Sequence, residues 1–320
     1  MTLPDWLERA SDWFTEKVAE HGYSITGEVE QFKAWHISTI LRLEAEKRSE
    51  KGVEKMTFYF KATPDLPLFV NEAKVTKALS SLFPRLIPVP VAINEEERWM
   101  ILEDFGDLLL EKAEISVWEE TLGTYARLQE DTQTKIDLLL AAGCLDRRLE
   151  ILPSRIEPLI EDVARFKILD KEEIAFLKKQ RPTLEEKYLE LNSYKIPQTL
   201  VHGDLHARNI VLQNGKPLFF DWSDACIAHP FFDLVTFKEE DIFKKDRFLF
   251  EKVKETYLEV WRKYEPPENV ERALELGLII GTLHHVISYQ HIFTSSAPGM
   301  EWQSANDWKR FLKRLIGLLM

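Results

Sequence analysis

Apolar residues recur with a helical period over residues 3–20, where Leu3, Trp6, Leu7, Ala10, Trp13, Phe14 and Val18 fall on one stripe. Period-two segments follow at 24–31, 38–44 and 55–62. The last two are separated by the polar run Glu46-Lys47-Arg48-Ser49-Glu50-Lys51-Gly52, which predicts a hairpin connection. Pro64 and Pro67 then break the chain, and the pattern predicts a helix over 69–83. Pro84, Pro88 and Pro90 lead into two more predicted strands, 89–94 and 98–103. Helix, three strands, helix, two strands is the order of an antiparallel α+β unit.

After Asp104-Phe105-Gly106-Asp107 the periodicity becomes helical. Ser116-Val117-Trp118-Glu119 reads as a capping box opening a helix with Trp118, Leu122, Tyr125 and Ala126 inward. Further helices are predicted over 136–150, 156–167, 170–192, 240–264 and 269–293, with a last one from about Asn306. One strand-rich island, residues 198–221, interrupts them. The chain therefore divides near Asp104 into residues 1–104 and 105–320.

The island carries the chemistry. Segments 210–213 and 218–221 flank Asn214-Gly215, a strong hairpin signal. Folding that hairpin sets Asn209 opposite Phe220, one residue from Asp221, while Asp204 enters from the preceding loop. Two carboxylates and an amide carbonyl are hard oxygen ligands, suited to Mg²⁺ together with phosphate oxygens.

Asp204 and Asn209 in His-x-Asp-x-x-x-x-Asn, with Asp221 downstream, resemble the catalytic loop and metal-binding aspartate of the protein-kinase-like superfamily. The segments His202-Gly203-Asp204-Leu205-His206, Phe220-Asp221-Trp222-Ser223-Asp224 and His229-Pro230-Phe231-Phe232-Asp233-Leu234 resemble more specifically its aminoglycoside phosphotransferase and choline kinase branch. The resemblance extends over almost the whole chain. It implies an α+β, protein-kinase-like bilobal fold, with a mostly antiparallel β N-lobe that binds nucleotide and a mainly helical C-lobe that carries the catalytic loop and binds the acceptor.

It also implies roles. Lys61, ending its strand, would grip the nucleotide phosphates, and Glu72 would orient it. Glu103 lies on the connector whose backbone would face the base. Asp204 would orient or accept the proton of the substrate hydroxyl, and Asn209 and Asp221 would hold Mg²⁺. The implied activity is transfer of a phosphoryl group from ATP, or GTP, to a hydroxylated small molecule, such as an aminoglycoside, an amino alcohol or a sugar. The kinase pattern puts a glycine-rich flap over the phosphates, yet residues 31–39 contain no glycine. Backbone N–H groups, or the hydroxyls of Ser38 and Thr39, would meet the phosphates there instead, with Ser38 as the candidate residue.

Two other readings stand beside this one. The glycine-free flap suits a non-catalytic nucleotide-binding protein of the same fold. The run His202-x-Asp204-x-His206 also fits a zinc hydrolase. Asp224 and Asp233 read as loop and helix-cap stabilisers rather than metal ligands. Gly277 and Gly281 read as close-packing positions of a buried helix. On the same helix, His284, His285, Tyr289 and His291 suit either core and rim packing or a pocket. Trp302 and Trp308 suit either the packing of the last helix or the floor of a site.

Composition narrows the field. The 320 residues carry a formal net charge of −12, which disfavours nucleic-acid and anionic-membrane partners. The surplus is spread over both parts of the chain, so it does not by itself indicate a cationic substrate. Two cysteines, Cys144 and Cys226, exclude a disulfide framework. No stretch reads as a signal peptide or a bilayer span, and the expected location is the cytoplasm.

Overall fold

The computed structural model describes residues 3–35, 37–50, 52–109, 114–295 and 301–320. The chain forms two compact units, one of residues 1–65, 69–107 and 211–221, the other of residues 66–68, 108–210 and 222–320.

In the first unit, α1 (Leu3–Glu20) precedes β1 (Ser24–Ile25), β2 (Glu30–Trp35), β3 (Ser38–Ser49), β4 (Gly52–Ala62), α2 (Glu72–Leu82), β5 (Ala92–Asn94) and β6 (Trp99–Glu103). The strands make an antiparallel sheet in the order β1-β3-β4-β6-β5, with β2 also on β3. Alternation along β3 buries Leu41, Leu43 and Ala45, and along β4 Phe58 and Phe60, against Ala10, Phe14 and Val18 of α1. Trp6 and Trp13 meet Phe60 edge-on, at centroid separations of 6.4 and 6.0 Å. Of the stripe expected on residues 3–20, Ala10, Phe14 and Val18 are buried and Trp6 and Trp13 half-buried, while Leu7 is exposed.

Several predicted edges move. The strand expected over 24–31 is split into β1 and β2. Glu46–Ser49 of the charged run is strand rather than loop, because β3 and β4 stay paired out to Ser49 and Gly52. There Glu46 faces Lys55 and Lys47 faces Glu54, and opposite charges across the ribbon let an exposed ladder continue. Helix α2 starts three residues later than expected, and β5 starts only at Ala92, beyond Pro90.

Next come β7 (Asp107–Leu108), α3 (Ile115–Thr132), α4 (Ile136–Ala142), β8 (Leu145–Asp146), α5 (Pro153–Arg165), α6 (Lys171–Ser193) and β9 (Thr199–Val201). They are followed by β10 (Ile210–Gln213), β11 (Lys216–Phe219), β12 (Cys226–Ala228), α7 (Leu234–Phe237), α8 (Asp241–Lys245), α9 (Arg247–Glu259), α10 (Pro267–Ser295) and α11 (Glu301–Leu319). Trp118, Leu122, Tyr125 and Ala126 are buried on α3, as their spacing predicts. The capping box expected at Ser116 is absent: α3 opens two residues earlier, Glu114 supplies the extended N-cap backbone, and Ser116 falls inside the first turn. A capping box is found at α6 instead, between Asp170 and Glu173.

The helix expected over 136–150 ends at Ala142. Gly143 adopts a left-handed backbone there (φ 106°) and closes the last turn. The freed residues Leu145–Asp146 form β8, which pairs in parallel with β12 in a sheet ordered β8-β12-β9. The helix expected over 240–264 breaks at Asp246, whose carboxylate caps α9 by accepting from Phe248 N–H at 2.9 Å. The last helix starts at Glu301, ahead of Asn306. Helix α10 is buried along most of its length, and its glycines are close-packing positions: a methyl group on Gly277 would stand 2.9 Å from Phe231 Cβ, and one on Gly281 2.8 Å from Val235 Cγ2. Among the described residues, no helix is long and apolar enough to cross a membrane.

Candidate active site

In the first unit, the β4 register puts Lys61 opposite Ile40 on one side and Met100 on the other, at the inner end of the sheet. Its Nζ donates to Glu72 Oε1 and to Asp221 Oδ1, both at 2.7 Å. Three sequence-predicted residues, drawn from β4, α2 and the end of the hairpin, thus meet at one ammonium. Burial alone would lower the Lys61 pKa, but the Asp221 and Glu72 carboxylates outweigh it and raise it above the ordinary lysine value. Glu72 opens α2 and is 2% exposed, and its Oε2 has no hydrogen-bond partner among the described residues. Burial pushes its carboxyl up to about 7 against the opposing pull of Lys61.

The hairpin β10–β11 turns at Asn214-Gly215, both with positive φ (51° and 76°), the type I′ signature that this dipeptide predicts. Asp221 follows it in the left-handed region as well (φ 65°), a conformation uncommon outside glycine that fixes where its carboxylate points. Phe105 packs edge-on against Phe220 at 5.1 Å. A methyl group on Gly106 (φ 136°) would meet Leu212 O at 2.6 Å, so only glycine allows that close passage. Ser38 and Glu103 do not join the Lys61 cluster. Ser38 starts β3 opposite Trp35, two residues before the Lys61 partner Ile40. Glu103 is exposed at the end of β6.

In the second unit, the loop after β9 carries Asp204. Gly203 takes φ 83°, and a methyl group there would stand 2.5 Å from Asp224 O. His202 is fully buried, tilted over Trp222 at 4.5 Å, and its Nδ1 accepts from Asp204 N–H at 3.4 Å. The Asp204 side chain is about half exposed and lies 3.4 Å from His206 Nε2. Asn209 ends a 3₁₀ turn, Ala207–Asn209, and its amide Nδ2–H donates to Asp204 O at 3.0 Å, which leaves Oδ1 as the outward acceptor. The loop is pinned further by Ala207 N–H to Glu240 Oε1 at 2.7 Å and by Thr236 Oγ1–H to Leu205 O at 2.8 Å.

Asp233 is the brace of this loop. It is fully buried, and its carboxylate accepts from His202 N–H at 3.0 Å, Gly203 N–H at 2.9 Å, Gln129 Nε2 at 3.1 Å and the Tyr125 hydroxyl. It makes no side-chain cap for α7, so its role is the loop rather than the helix. Burial raises its carboxyl to about 6 despite those donors. Sequence reasoning did not single out Gln129. Its signal was a polar residue one turn after Tyr125 on an otherwise apolar stripe.

His202 is committed to Trp222 and to the loop, and among the described residues no three His, Cys, Asp or Glu side chains converge as a metal-binding group. The zinc reading loses its third ligand. Trp308 is buried against Phe293 at 5.2 Å, the packing alternative for that residue. The side chains of Glu301 and Trp302 lie outside the described residues, as does His36 of the flap segment.

The whole architecture is similar to solved phosphotransferases at low sequence identity. A GDP complex of an aminoglycoside 2′-phosphotransferase-IIIa superposes with a TM-score of 0.65 at 14% identity, covering 97% of this chain and 100% of the other. An ethanolamine kinase of Plasmodium vivax gives 0.61 at 13% identity, covering 91% and 82%. A macrolide 2′-phosphotransferase type I gives 0.60 at 13%, covering 96% and 98%. At these identities the likeness establishes the protein-kinase-like fold, an antiparallel sheet unit joined to a mainly helical one. No curated protein sequence matches the chain. The model of the phosphotransferase enzyme family (APH) matches residues 57–268, a span that starts within β4 and takes in Lys61, Glu72, Asp204, Asn209 and Asp221. Two thirds of the chain lie inside that match, so the protein belongs to the phosphotransferase enzyme family and is a phosphotransferase.

Proposed function

We propose that this enzyme transfers the terminal phosphoryl group of ATP or GTP to a hydroxyl of a small molecule, with Mg²⁺ as cofactor. The observation that carries the reading is the Lys61–Glu72–Asp221 cluster, a buried cation held between two carboxylates 11 and 160 residues away in sequence. A cation so placed neutralises phosphate charge, and charge neutralisation with positioning is most of what phosphoryl transfer asks of a protein. Solved neighbours described as GDP and ADP complexes support nucleotide use.

In this reading the first unit, within residues 1–104, holds the nucleotide, and residues 105–320 hold the acceptor. Lys61 binds the phosphates, and Glu72 keeps its ammonium in place. Asn209 Oδ1 and the Asp221 carboxylate are hard oxygen donors of the kind Mg²⁺ prefers, and Asn209 already has its amide N–H occupied, so the donor set fits. Held by these two residues, Mg²⁺ would supply positive charge to offset the charge that develops in the transfer. Asp204, half exposed on a braced loop, accepts the proton of the acceptor hydroxyl. Glu103 stays with the connector strand, and Ser38 with the glycine-free β2–β3 turn. Cys144 and Cys226 are both buried and unbridged, which suits a cytoplasmic enzyme.

Phosphoryl transfer from Mg-ATP and Mg-GTP to a panel of hydroxylated metabolites tests the proposal. Transfer should fall at least a thousandfold in Asp204→Ala and in Asp221→Ala. Stabilisation by Mg-ATP with no transfer to any acceptor would favour a non-catalytic nucleotide binder instead.

A further inference from the structure

The second unit contains a cavity of about 250 Å³ that the phosphotransfer residues do not line. Its polar wall is cationic. Arg147 follows β8, where its backbone N–H donates to Ile227 O at 3.0 Å and fixes the start of the side chain. The guanidinium donates to Ser288 Oγ at 2.6 Å and lies 3.5 Å from His291 Nδ1. Arg155, from the first turn of α5, stands at the exposed rim. Asp146, the one carboxylate lining the cavity, is taken by Arg148 at 2.9 and 2.7 Å. Among the described residues neither Arg147 nor Arg155 forms an ion pair.

The neighbouring imidazoles do not compensate. His284 and His291 also line the cavity, and burial followed by the Arg147 charge lowers both pKa values, His291 to about 4, so they stay neutral. The same desolvation lowers Arg147 itself. Asp224 offsets the Arg147 charge only from a distance, without an ion pair. Two guanidinium groups over apolar walls, neither ion-paired among the described residues, make a place where an anion is favoured and a second cation is excluded.

The cavity wall and the loop of Asp204 leave one sheet: β8, which runs into Arg147, and β9, which runs into the Asp204 loop, both pair with β12. His284, Ser288 and His291 share one face of α10, at the i, i+4, i+7 spacing. His285 and Tyr289 occupy the adjacent face, where burial dominates both pKa shifts and the Asp204 charge comes next. With about 1.5 Å of rise per residue, these positions lie within two turns. The volume is below the ~300–1,000 Å³ of pockets for drug-sized ligands, so a compact molecule fits better than an oligosaccharide.

We infer that the acceptor carries an oxyanion, a carboxylate or a phosphate, which Arg147 and Arg155 bind while its hydroxyl is presented to Asp204. This rests on the phosphotransfer reading above and narrows its substrate class to hydroxylated anions, against the cationic amino sugars.

Nucleotide-free thermal-shift titrations of the full chain test it, with gluconate, inorganic phosphate, sorbitol and glucosamine at constant ionic strength. Gluconate or phosphate should raise the melting temperature at concentrations where sorbitol and glucosamine do not, and whichever of the two acts more strongly identifies the anion. Arg147→Met and Arg155→Gln should each weaken the response at least tenfold. Arg155 is exposed, so its variant keeps the test alive should Arg147→Met fail to fold. The inference is overturned if the anions stabilise no more than sorbitol, or if Arg155→Gln and any folded Arg147 variant respond like wild type. An Arg-dependent anion response without phosphoryl transfer to any acceptor would defeat the phosphotransfer reading alone. Transfer to sorbitol or glucosamine without an anion response would defeat this inference alone.

Discussion

Asp233 reaches back 30 residues to accept the Gly203 N–H at 2.9 Å, and with the His202 N–H beside it holds the backbone just ahead of Asp204. The brace is wholly buried, so its loss leaves several donors without water or protein partners. Asp233→Ala should destabilise the protein by about 3–5 kcal/mol, the range for breaking a buried charged network. Asp233→Asn keeps one acceptor oxygen and should cost about half as much. Denaturant unfolding of both variants measures this, and an alanine cost below about 1 kcal/mol would mean the loop is held elsewhere.

Gly203 itself allows a second test. Its φ of 83° and the 2.5 Å approach of Asp224 O to any added methyl combine backbone strain with a backbone clash. Gly203→Ala should therefore lower activity through a displaced Asp204, at a stability cost of roughly 2 kcal/mol. Gly215→Ala, at a comparable φ of 76° but with nothing within 4 Å, should pay only the strain, about 1 kcal/mol, and keep its activity.

The parts legible in the sequence are those whose signal is local. The stripe of α1, the inward face of α3 and the Asn214-Gly215 turn each depend on spacing within one element, and each is found in place. The Lys61–Glu72 pair was anticipated from the kinase pattern. Lys61 also takes Asp221 as a direct partner, a contact made by tertiary folding alone. Strand β8 was hidden because two residues carry no periodicity, and its partner Cys226–Ala228 lies some 80 residues on. The Asp233 brace was read as a helix cap, because an acidic residue ahead of an apolar run looks the same in either role.

The Glu72 carboxyl gives the cluster a pH dependence. Burial sets its pKa at about 7, so below pH 7 it is neutral and holds the Lys61 ammonium less tightly. kcat/KM for the nucleotide should fall on the acid side of pH 7. Glu72→Gln should abolish that acid limb and lower the plateau by about ten- to a hundredfold, the worth of a charged hydrogen bond of roughly 1.5–3 kcal/mol. A wild-type profile flat from pH 6 to 8, or a variant that keeps the limb, would remove Glu72 from this role.

Stability should respond to acid in the opposite sense to the carboxyls. His229 is buried beside Phe231 and Phe232, and burial lowers its pKa to about 3; His285 falls to about 4, and His284 falls well below the ordinary value. A depressed histidine means that the unfolded chain takes up its proton near pH 6.5 while the folded chain does not. Stability is then lost as pH falls from 6.5 towards the folded value. Glu72 and Asp233, raised to about 7 and about 6, favour the folded form as pH falls through those values, and so offset two of the four depressed histidines, His291 at about 4 being the fourth. A net loss remains between pH 6.5 and 5. His229→Asn can still accept the Phe231 N–H without titrating, and should reduce that slope by about 1.4 kcal/mol per pH unit. Unfolding free energies at pH 7, 6 and 5 measure it, and an unchanged slope in the variant would show that His229 is not the buried neutral group that the packing of its ring requires.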